Sequence, residues 1–321
     1  MARPKRRGDQ LRLRPGFGVG APDLHLHSTL SDGARTPHEL IDTAHGLRLP
    51  LVAVTDHHTF EGSKLAEAAG EKRDVAVVPG SMEVNARHLC LQGRKPKLAH
   101  VHLLAYFTTP QAQLAVMTHV GQARSLEVRN VQKALEEFRQ AGFRTNHIRL
   151  DDLPRKGLTG TNLMSILFGV KQNRSVTGNA ARRLIAHYGR VKTFNSNVDA
   201  AQFISTVNKH GGFVVLAHPS SPHYTASEEV ILDLVDAGLA GIEVMHPDHT
   251  PGETKRLIAL AQKTGCLVPT IGSDFHTREQ TVMPGVTRDT LRALARKTNR
   301  KLLGSDSELS ERLRQLMREK R

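Results

Sequence analysis

The chain has 321 residues, with 45 Lys and Arg against 31 Asp and Glu, a net charge of +14, and 39% hydrophobic residues. A chain of this length makes one large domain or two ordinary ones and buries about 75% of its surface, so it needs no disulfide or metal to fold. Cys90 and Cys266 make neither a disulfide framework nor a thiolate zinc site. No apolar run approaches the roughly 18 residues of a membrane span, and the first residues lack a secretory signal, so a cytoplasmic protein with no membrane partner is expected.

The positive charge favours anionic partners such as nucleotides, RNA or DNA. It is concentrated at two places, Met1 to Arg14 and Arg288 to Lys301, each with six basic residues against one Asp. Eighteen histidines accompany only three tyrosines and no tryptophan, so imidazole ligands are plentiful and aromatic stacking platforms are scarce.

Residues 1–21 read as a basic, Gly-rich leader. Its Gly16-x-Gly18-x-Gly20 precedes the first strand instead of following it and is therefore no dinucleotide fingerprint. Strands are expected near Asp23 to His27, Leu51 to Thr55, Val75 to Pro79 and Ala99 to Tyr106, and again at Phe213 to Ala217, Gly241 to Val244 and Val268 to Gly272. Helices alternate with them. Thr36-Pro37-His38-Glu39 joins an N-cap, a first-turn proline and a capping-box glutamate, predicting a helix to about His45. Ser227 precedes a helix over Glu228 to Ala237, and Thr250-Pro251 one over Gly252 to Thr264. Such alternation predicts parallel strands with crossover helices. It lapses between about Thr108 and Asp199, where Gln111 to Ala141 is a helix and some ninety residues hold no clear strand. A stretch this long is an inserted helical subdomain, not a loop. The divisions are thus 1–21 leader, 22–107 first barrel part, 108–199 helical cap, 200–300 second barrel part and 301–321 a charged terminal helix.

Alternation in Asp23-Leu24-His25-Leu26-His27 puts Asp23, His25 and His27 on one strand face. Asp32 follows in a Ser31-Asp32-Gly33 turn. The next strand ends in Asp56-His57-His58, another leads to Glu83, and a fourth carries His100 and His102. Later strands run into His218-Pro219, His246 and Asp274-Phe275-His276. Ligand-type residues recur at the C-terminal ends of successive strands, where barrel enzymes assemble their sites. Asp23 and Asp56, beside ligands, are candidates to orient imidazoles.

These residues resemble the polymerase and histidinol phosphatase (PHP) superfamily. The resemblance lies in Asp23-Leu-His-Leu-His-Ser28, Ser31-Asp32-Gly33, Val54-Thr-Asp-His57, Glu83, His102, Ala217-His218-Pro219 and Gly272-Ser-Asp-Phe-His276, in order. It implies an α/β fold, a distorted (β/α)7 TIM-like barrel with an inserted helical cap, holding two or three divalent ions. By motif, His25, His27, Glu83 and Asp274 hold one ion and Glu83 bridges to a second bound by His102 and His218. Asp32, His57 and His276 hold the third. Imidazole with carboxylate suits Mn, Zn or Fe, and the implied reaction is hydrolysis of a phosphate ester through metal-bound hydroxide. His246, in Glu243-Val-Met-His-Pro-Asp-His249, is a candidate for leaving-group contact or protonation.

A helical insertion after the His102 strand resembles the branch acting on nucleoside 3′,5′-bisphosphates and trimming short RNA from its 5′ end. Arg124 and Arg129 fit that branch's phosphate contacts on the first cap helix. Three departures point to a different phosphoester. Thr159-Gly160-Thr161-Asn162-Leu163 stands where an Arg-x-His cluster is usual, Ser220-Ser221-Pro222-His223-Tyr224 lacks the usual Arg, and His58 replaces a frequent Asp. Other readings are a histidinol-phosphate-type phosphatase, a catalytically silent nucleic-acid-binding barrel, and a carbon–nitrogen hydrolase, which the lack of a lysine ligand disfavours.

Overall fold

The computed structural model describes residues 22–91, 96–146, 148, 160–189, 198–222, 224–276 and 307–319. The leader and the basic Arg288 to Lys301 segment lie outside these residues. Three parallel strands, β1 (Asp23–Leu26), β2 (Leu51–Val54) and β3 (Ala76–Val77), make one sheet in that order. A second sheet contains β4 (Met82–Cys90), β5 (Lys97–Tyr106), β6 (Val198–Asp199), β7 (Phe213–Leu216), β10 (Gly241–Met245) and β11 (Val268–Ile271). Its order is β11-β10-β7-β5-β4-β6.

The two sheets join at both ends. At one seam His27 N–H donates to Phe275 O at 3.1 Å and Asp274 N–H to His25 O at 2.9 Å. At the other, Glu83 N–H donates to Thr55 O at 3.1 Å and His58 N–H to Glu83 O at 2.8 Å. Phe107 N–H reaches Pro79 O at 2.8 Å, so the residues just past β5 lie beside those just past β3. The result is a ring of seven positions, with β3 and β4 as one broken strand.

The ring departs from the expected all-parallel pattern, because β5 is antiparallel to both β4 and β7. β4 was not expected as a strand beyond Glu83, although Met82-Glu-Val-Asn-Ala-Arg-His-Leu-Cys90 alternates buried and less buried side chains. With β4 and β5 paired as a hairpin, His102 reaches the rim from mid-strand and not from a strand's C-terminal end.

Helices cover the outside. α1 (Pro37–Gly46) begins with the expected capping box and packs Leu40, Ile41 and Ala44 on Val52 and Val54, joined by Ala66 and Ala69 of α2 (Glu61–Arg73). α6 (Ala200–Lys209), α7 (Glu228–Asp236) and α8 (Pro251–Thr264) cover the other half over Leu103, Val214, Leu216, Ile242 and Val244.

The long α3 (Pro110–Gln140), about 46 Å at 1.5 Å per residue, belongs to two cores. Val116, Val120 and Ala123 join the barrel's outer cluster. Val131, Ala134, Leu135 and Phe138 pack instead with Leu163 and Leu167 of α4 (Gly160–Gly169) and with Ala181 and Tyr188 of α5 (Asn179–Tyr188). The cap core therefore starts inside α3, and β6 joins the barrel sheet.

The terminal α9 (Glu308–Glu319) is charged on one side only. Leu309 and Leu313 are 1% exposed and pack with Leu24, Leu51, Ala53, Ala76, Val78, Val215 and Val268. Arg312 donates to Gly211 O and lies over the rings of Phe107 and Phe213, at the start of β7 and just past the end of antiparallel β5. α9 thus closes the barrel end opposite the histidines. Replacing Leu313 by Ala should destabilise the fold by about 2–5 kcal/mol, read as a lower denaturant midpoint, with catalysis per folded molecule unchanged.

Candidate metal centre

β1 delivers His25 and His27, both fully buried, to the rim. The following turn is pinned by Asp56, whose carboxylate accepts from Ser28 N–H at 2.7 Å, Ser28 Oγ at 2.6 Å and Ser31 Oγ at 2.6 Å. Gly33 lies so close to His27 O that a Cβ has no room there. The turn brings Asp32 to the histidines, with Oδ2 2.8 Å from His276 Nε2 and Oδ1 3.5 Å from His27 Nδ1. Asp23 accepts from Ser273 N–H at 2.9 Å and His25 N–H at 3.4 Å. Asp23 and Asp56 therefore fix backbone turns that carry ligand-type residues; they do not orient imidazoles as expected.

All nine candidate ligands meet at one rim, in three groups. In the first, His25 Nε2, His27 Nε2, Glu83 Oε2 and Asp274 Oδ1 converge, and five of their six pairwise separations lie between 3.1 and 3.4 Å. A tetrahedron around an ion with bonds of about 2.0–2.1 Å has edges of about 3.3–3.4 Å. In the second, Glu83 turns its other oxygen, Oε1, to His102 Nδ1 at 2.8 Å and His218 Nε2 at 3.5 Å. The third joins Asp32, His57 and His276 with His27.

The electrostatics fit a cation. Burial pushes the Glu83 and Asp274 carboxyls up, yet the surrounding imidazoles hold both well below the usual carboxylate range. Burial lowers His27, and the Asp274 and Glu83 carboxylates more than reverse it, to about 10; His25 is likewise raised by Glu83, Glu243 and Asp274. The cluster holds protons because its carboxylates demand positive charge. Burial keeps His57 and His102 below the usual imidazole range, which leaves their lone pairs available. Among the described residues, His57 Nδ1, His102 Nε2 and His218 Nδ1 are buried without a hydrogen-bond partner. Uncompensated burial of such atoms costs about 1–3 kcal/mol each; in His102 and His218 it is the opposite nitrogens that face Glu83, and imidazole with carboxylate is the donor set divalent ions fit. The backbone is strained at the same place, with φ of 57° at His58, 25° at His218 and 48° at Asp274.

His246 differs from the ligands. Its Nδ1 accepts from Asp248 N–H at 3.1 Å, so in the neutral ring the proton sits on Nε2, 3.6 Å from Asp274 Oδ2. That tautomer makes His246 a donor at the rim and prevents it from ligating through Nε2. Positions 124 and 129 both lie in α3, about 140° apart around the helix, and Arg129 is exposed. Gly160 and Asn162 fall in the first turn of α4.

Two residues escaped the sequence reading. Glu243, 1% exposed, places Oε1 3.3 Å from His25 Nδ1 and accepts from His218 N–H at 2.7 Å through Oε2, tying two ligand strands together. A carboxylate inside Gly-Ile-Glu-Val-Met was the available signal. Tyr224, in the short hairpin of β8 (Ser220–Ser221) and β9 (Tyr224–Thr225), lies with its ring centroid 4.0 Å from that of His102.

Known proteins resemble this chain in sequence and in fold. The PHP domain model matches residues 23–170. The chain is 33% identical over 256 residues to a phosphoribosyl 1,2-cyclic phosphate 1,2-diphosphodiesterase of Eggerthella lenta, covering 79% of this chain and 93% of that protein. It is 29% identical to a 3′,5′-nucleoside bisphosphate phosphatase of Chromobacterium violaceum, covering 79% and 86%. The crystal structure of a candidate metal-dependent phosphoesterase of Bifidobacterium adolescentis superposes with a TM-score of 0.63 at 22% identity over 88% of this chain and 97% of that one.

Two outcomes follow from the packing and charge. A Cβ at Gly272 would run into Glu243 Oε1 and the His25 Cβ. Gly272→Ala should therefore cost about 1–3 kcal/mol of stability and lower metal affinity, measured by denaturation and by calorimetric titration. Binding must also displace protons from His25 and His27. Titrating the metal-free protein with Zn²⁺ at pH 7 in buffers of different ionisation enthalpy should show proton release, with affinity rising as pH rises through the neutral range.

Proposed function

Since the chain belongs to the PHP domain family of metal-dependent phosphoesterases, we propose that it hydrolyses a terminal phosphate ester of a nucleotide or short nucleic acid at the rim built by the nine residues above. The observation that carries this reading is the shared carboxylate of Glu83, which faces His25 and His27 with one oxygen and His102 and His218 with the other. Such bridging is what a multi-ion phosphoesterase site requires. His25, His27, Glu83 and Asp274 would hold one ion and Glu83, His102 and His218 a second. Asp32, His57 and His276, with His27 alongside, would hold a third, all drawn from Mn, Zn or Fe. Bound there, the ions supply hydroxide at neutral pH and neutralise phosphate oxygens.

The chain's own groups do the rest. Glu243 and Asp23 keep His25 in place from its ring and from its backbone. His246, with its proton on Nε2 facing the rim, donates a hydrogen bond to the departing oxygen as charge develops there. Arg124 and Arg129, both in α3, would add positive charge for the substrate's phosphates, as the family resemblance implies. The basic leader adds long-range attraction for a polyanion.

A second reading is a cyclic phosphodiester of a sugar, favoured by the 33% identity to the Eggerthella lenta phosphodiesterase. Phosphate release from a nucleoside 3′,5′-bisphosphate, a 5′-phosphorylated RNA oligomer, histidinol phosphate and a ribose 1,2-cyclic phosphate, with product analysis for the last, separates the readings. The nucleotide or the oligomer should give the highest kcat/KM; RNA binding without turnover in added Mn²⁺ or Zn²⁺ would overturn the hydrolase.

His25→Ala or Asp274→Ala should abolish turnover while the chain still folds, as followed by circular dichroism. His246→Ala should lower kcat by about 10²–10³-fold on a nucleotide substrate. On p-nitrophenyl phosphate, whose leaving group needs no protonation, the loss should be far smaller.

A further inference from the structure

The three tyrosines occupy three different settings. Tyr106, buried in the barrel, donates to Leu24 O at 2.6 Å, and Tyr188 donates to Glu137 in the cap at 2.9 Å. Tyr224 stands on the β8–β9 hairpin, 4.0 Å from His102 and 5.7 Å from His218 by ring centroids.

An imidazole that ligates a metal ordinarily has its second nitrogen held by a hydrogen bond, which fixes tautomer and ring rotation. His25 has Glu243 for this, His27 has Ser31 Oγ at 3.4 Å and His276 has Asp274 O at 2.8 Å. The two imidazoles on Glu83 Oε1 lack such a partner: His102 Nε2 and His218 Nδ1 are buried with no hydrogen bond among the described residues. Tyr224 is in ring contact with both.

The hairpin carrying Tyr224 is itself anchored. His249 donates from Nδ1 to Val244 O at 3.2 Å, which leaves Nε2 to accept from Ser220 N–H at 3.2 Å. Arg256 donates to Ser220 Oγ at 2.9 Å, and Ser221 Oγ donates to Asp248 at 3.1 Å. Ser221 N–H closes back on His218 O at 2.9 Å, and Ala226 N–H on Pro219 O at 2.9 Å. Three side chains from the β10–α8 segment therefore fix the two-strand arch that carries the Tyr224 ring.

We propose that Tyr224 is the positioning residue for His102 and His218, setting the rotation of these imidazoles by ring contact where a hydrogen bond would otherwise do so. The proposal rests on the reading of Glu83, His102 and His218 as an ion site. What matters is the aromatic plane against His102; the phenol hydroxyl is dispensable.

The full-length protein, stripped and reloaded with Mn²⁺ or Zn²⁺, tests this by calorimetric titration and by elemental analysis after desalting. Tyr224→Phe should load like the wild type. Tyr224→Ala should weaken one class of site by about 10- to 100-fold and lose that ion on desalting, while the site built on His25 and His27 stays filled. Tyr224→Leu, which keeps apolar bulk without the ring and guards against a folding defect in the Ala variant, should behave as Ala does. Wild-type loading in the Leu or Ala variant would overturn the proposal, as would a Phe variant as deficient as Ala, which would assign the role to the hydroxyl. A wild-type chain that takes up no ion would instead overturn the metal site itself. In turnover, Tyr224→Ala should lower kcat with KM nearly unchanged, and raised Mn²⁺ should restore it.

Discussion

The buried carboxylate of Glu83 is the point on which the molecule turns. Its backbone closes the barrel, giving its N–H to Thr55 and taking the N–H of His58. Its side chain, 1% exposed, faces His25, His27 and His57 with one oxygen and His102 and His218 with the other. A lone carboxylate in such a place would be prohibitive, since burial of an unpaired ion costs far more than any local contact returns. The imidazoles therefore have to be there for the fold as much as for the chemistry. Barrel closure and assembly of the site are one event, because the strands that meet at Glu83 are the strands that carry His57 and His102.

The same coupling explains the strained backbone at the rim. His218 and Asp274 have positive φ without being glycine, a conformation that costs about 1–3 kcal/mol each, and both sit where a strand ends and a side chain must turn into the cluster. Glu243 receives the His218 amide that this turn exposes, and Asp23 receives the amide of Ser273 just ahead of Asp274. Carboxylates placed behind the ligands thus stabilise the loops that aim them.

Much of this was legible in the residues. The capping boxes at Thr36 and Thr250 mark α1 and α8, and Asp-x-His-x-His announces two imidazoles on one strand. The meeting of distant motifs at one rim follows from that pattern and from the family resemblance together. The antiparallel β5 was not legible, because a strand's direction depends on its partner, and β4 carries polar residues on its less buried side that blur its alternation. Leu24 and Leu26 show a similar limit. They look like one face of β1, yet a register shift in its pairing with β2 sends them to different apolar clusters. Tyr224 and Glu243 gain their meaning from His102 and His25, each more than a hundred residues away in the chain. The spacing of Leu309, Leu313 and Leu316 on α9 did carry an apolar stripe, but the surrounding charge concealed it.

That last helix makes the barrel a vessel with a floor. With α9 seated under Leu24, Leu51 and Val215, the far end of the barrel is sealed by apolar packing. Leu24 lies beside His25 and Val215 opens the run into His218, so a lesion in this helix loosens the very strands that aim those imidazoles without touching a ligand.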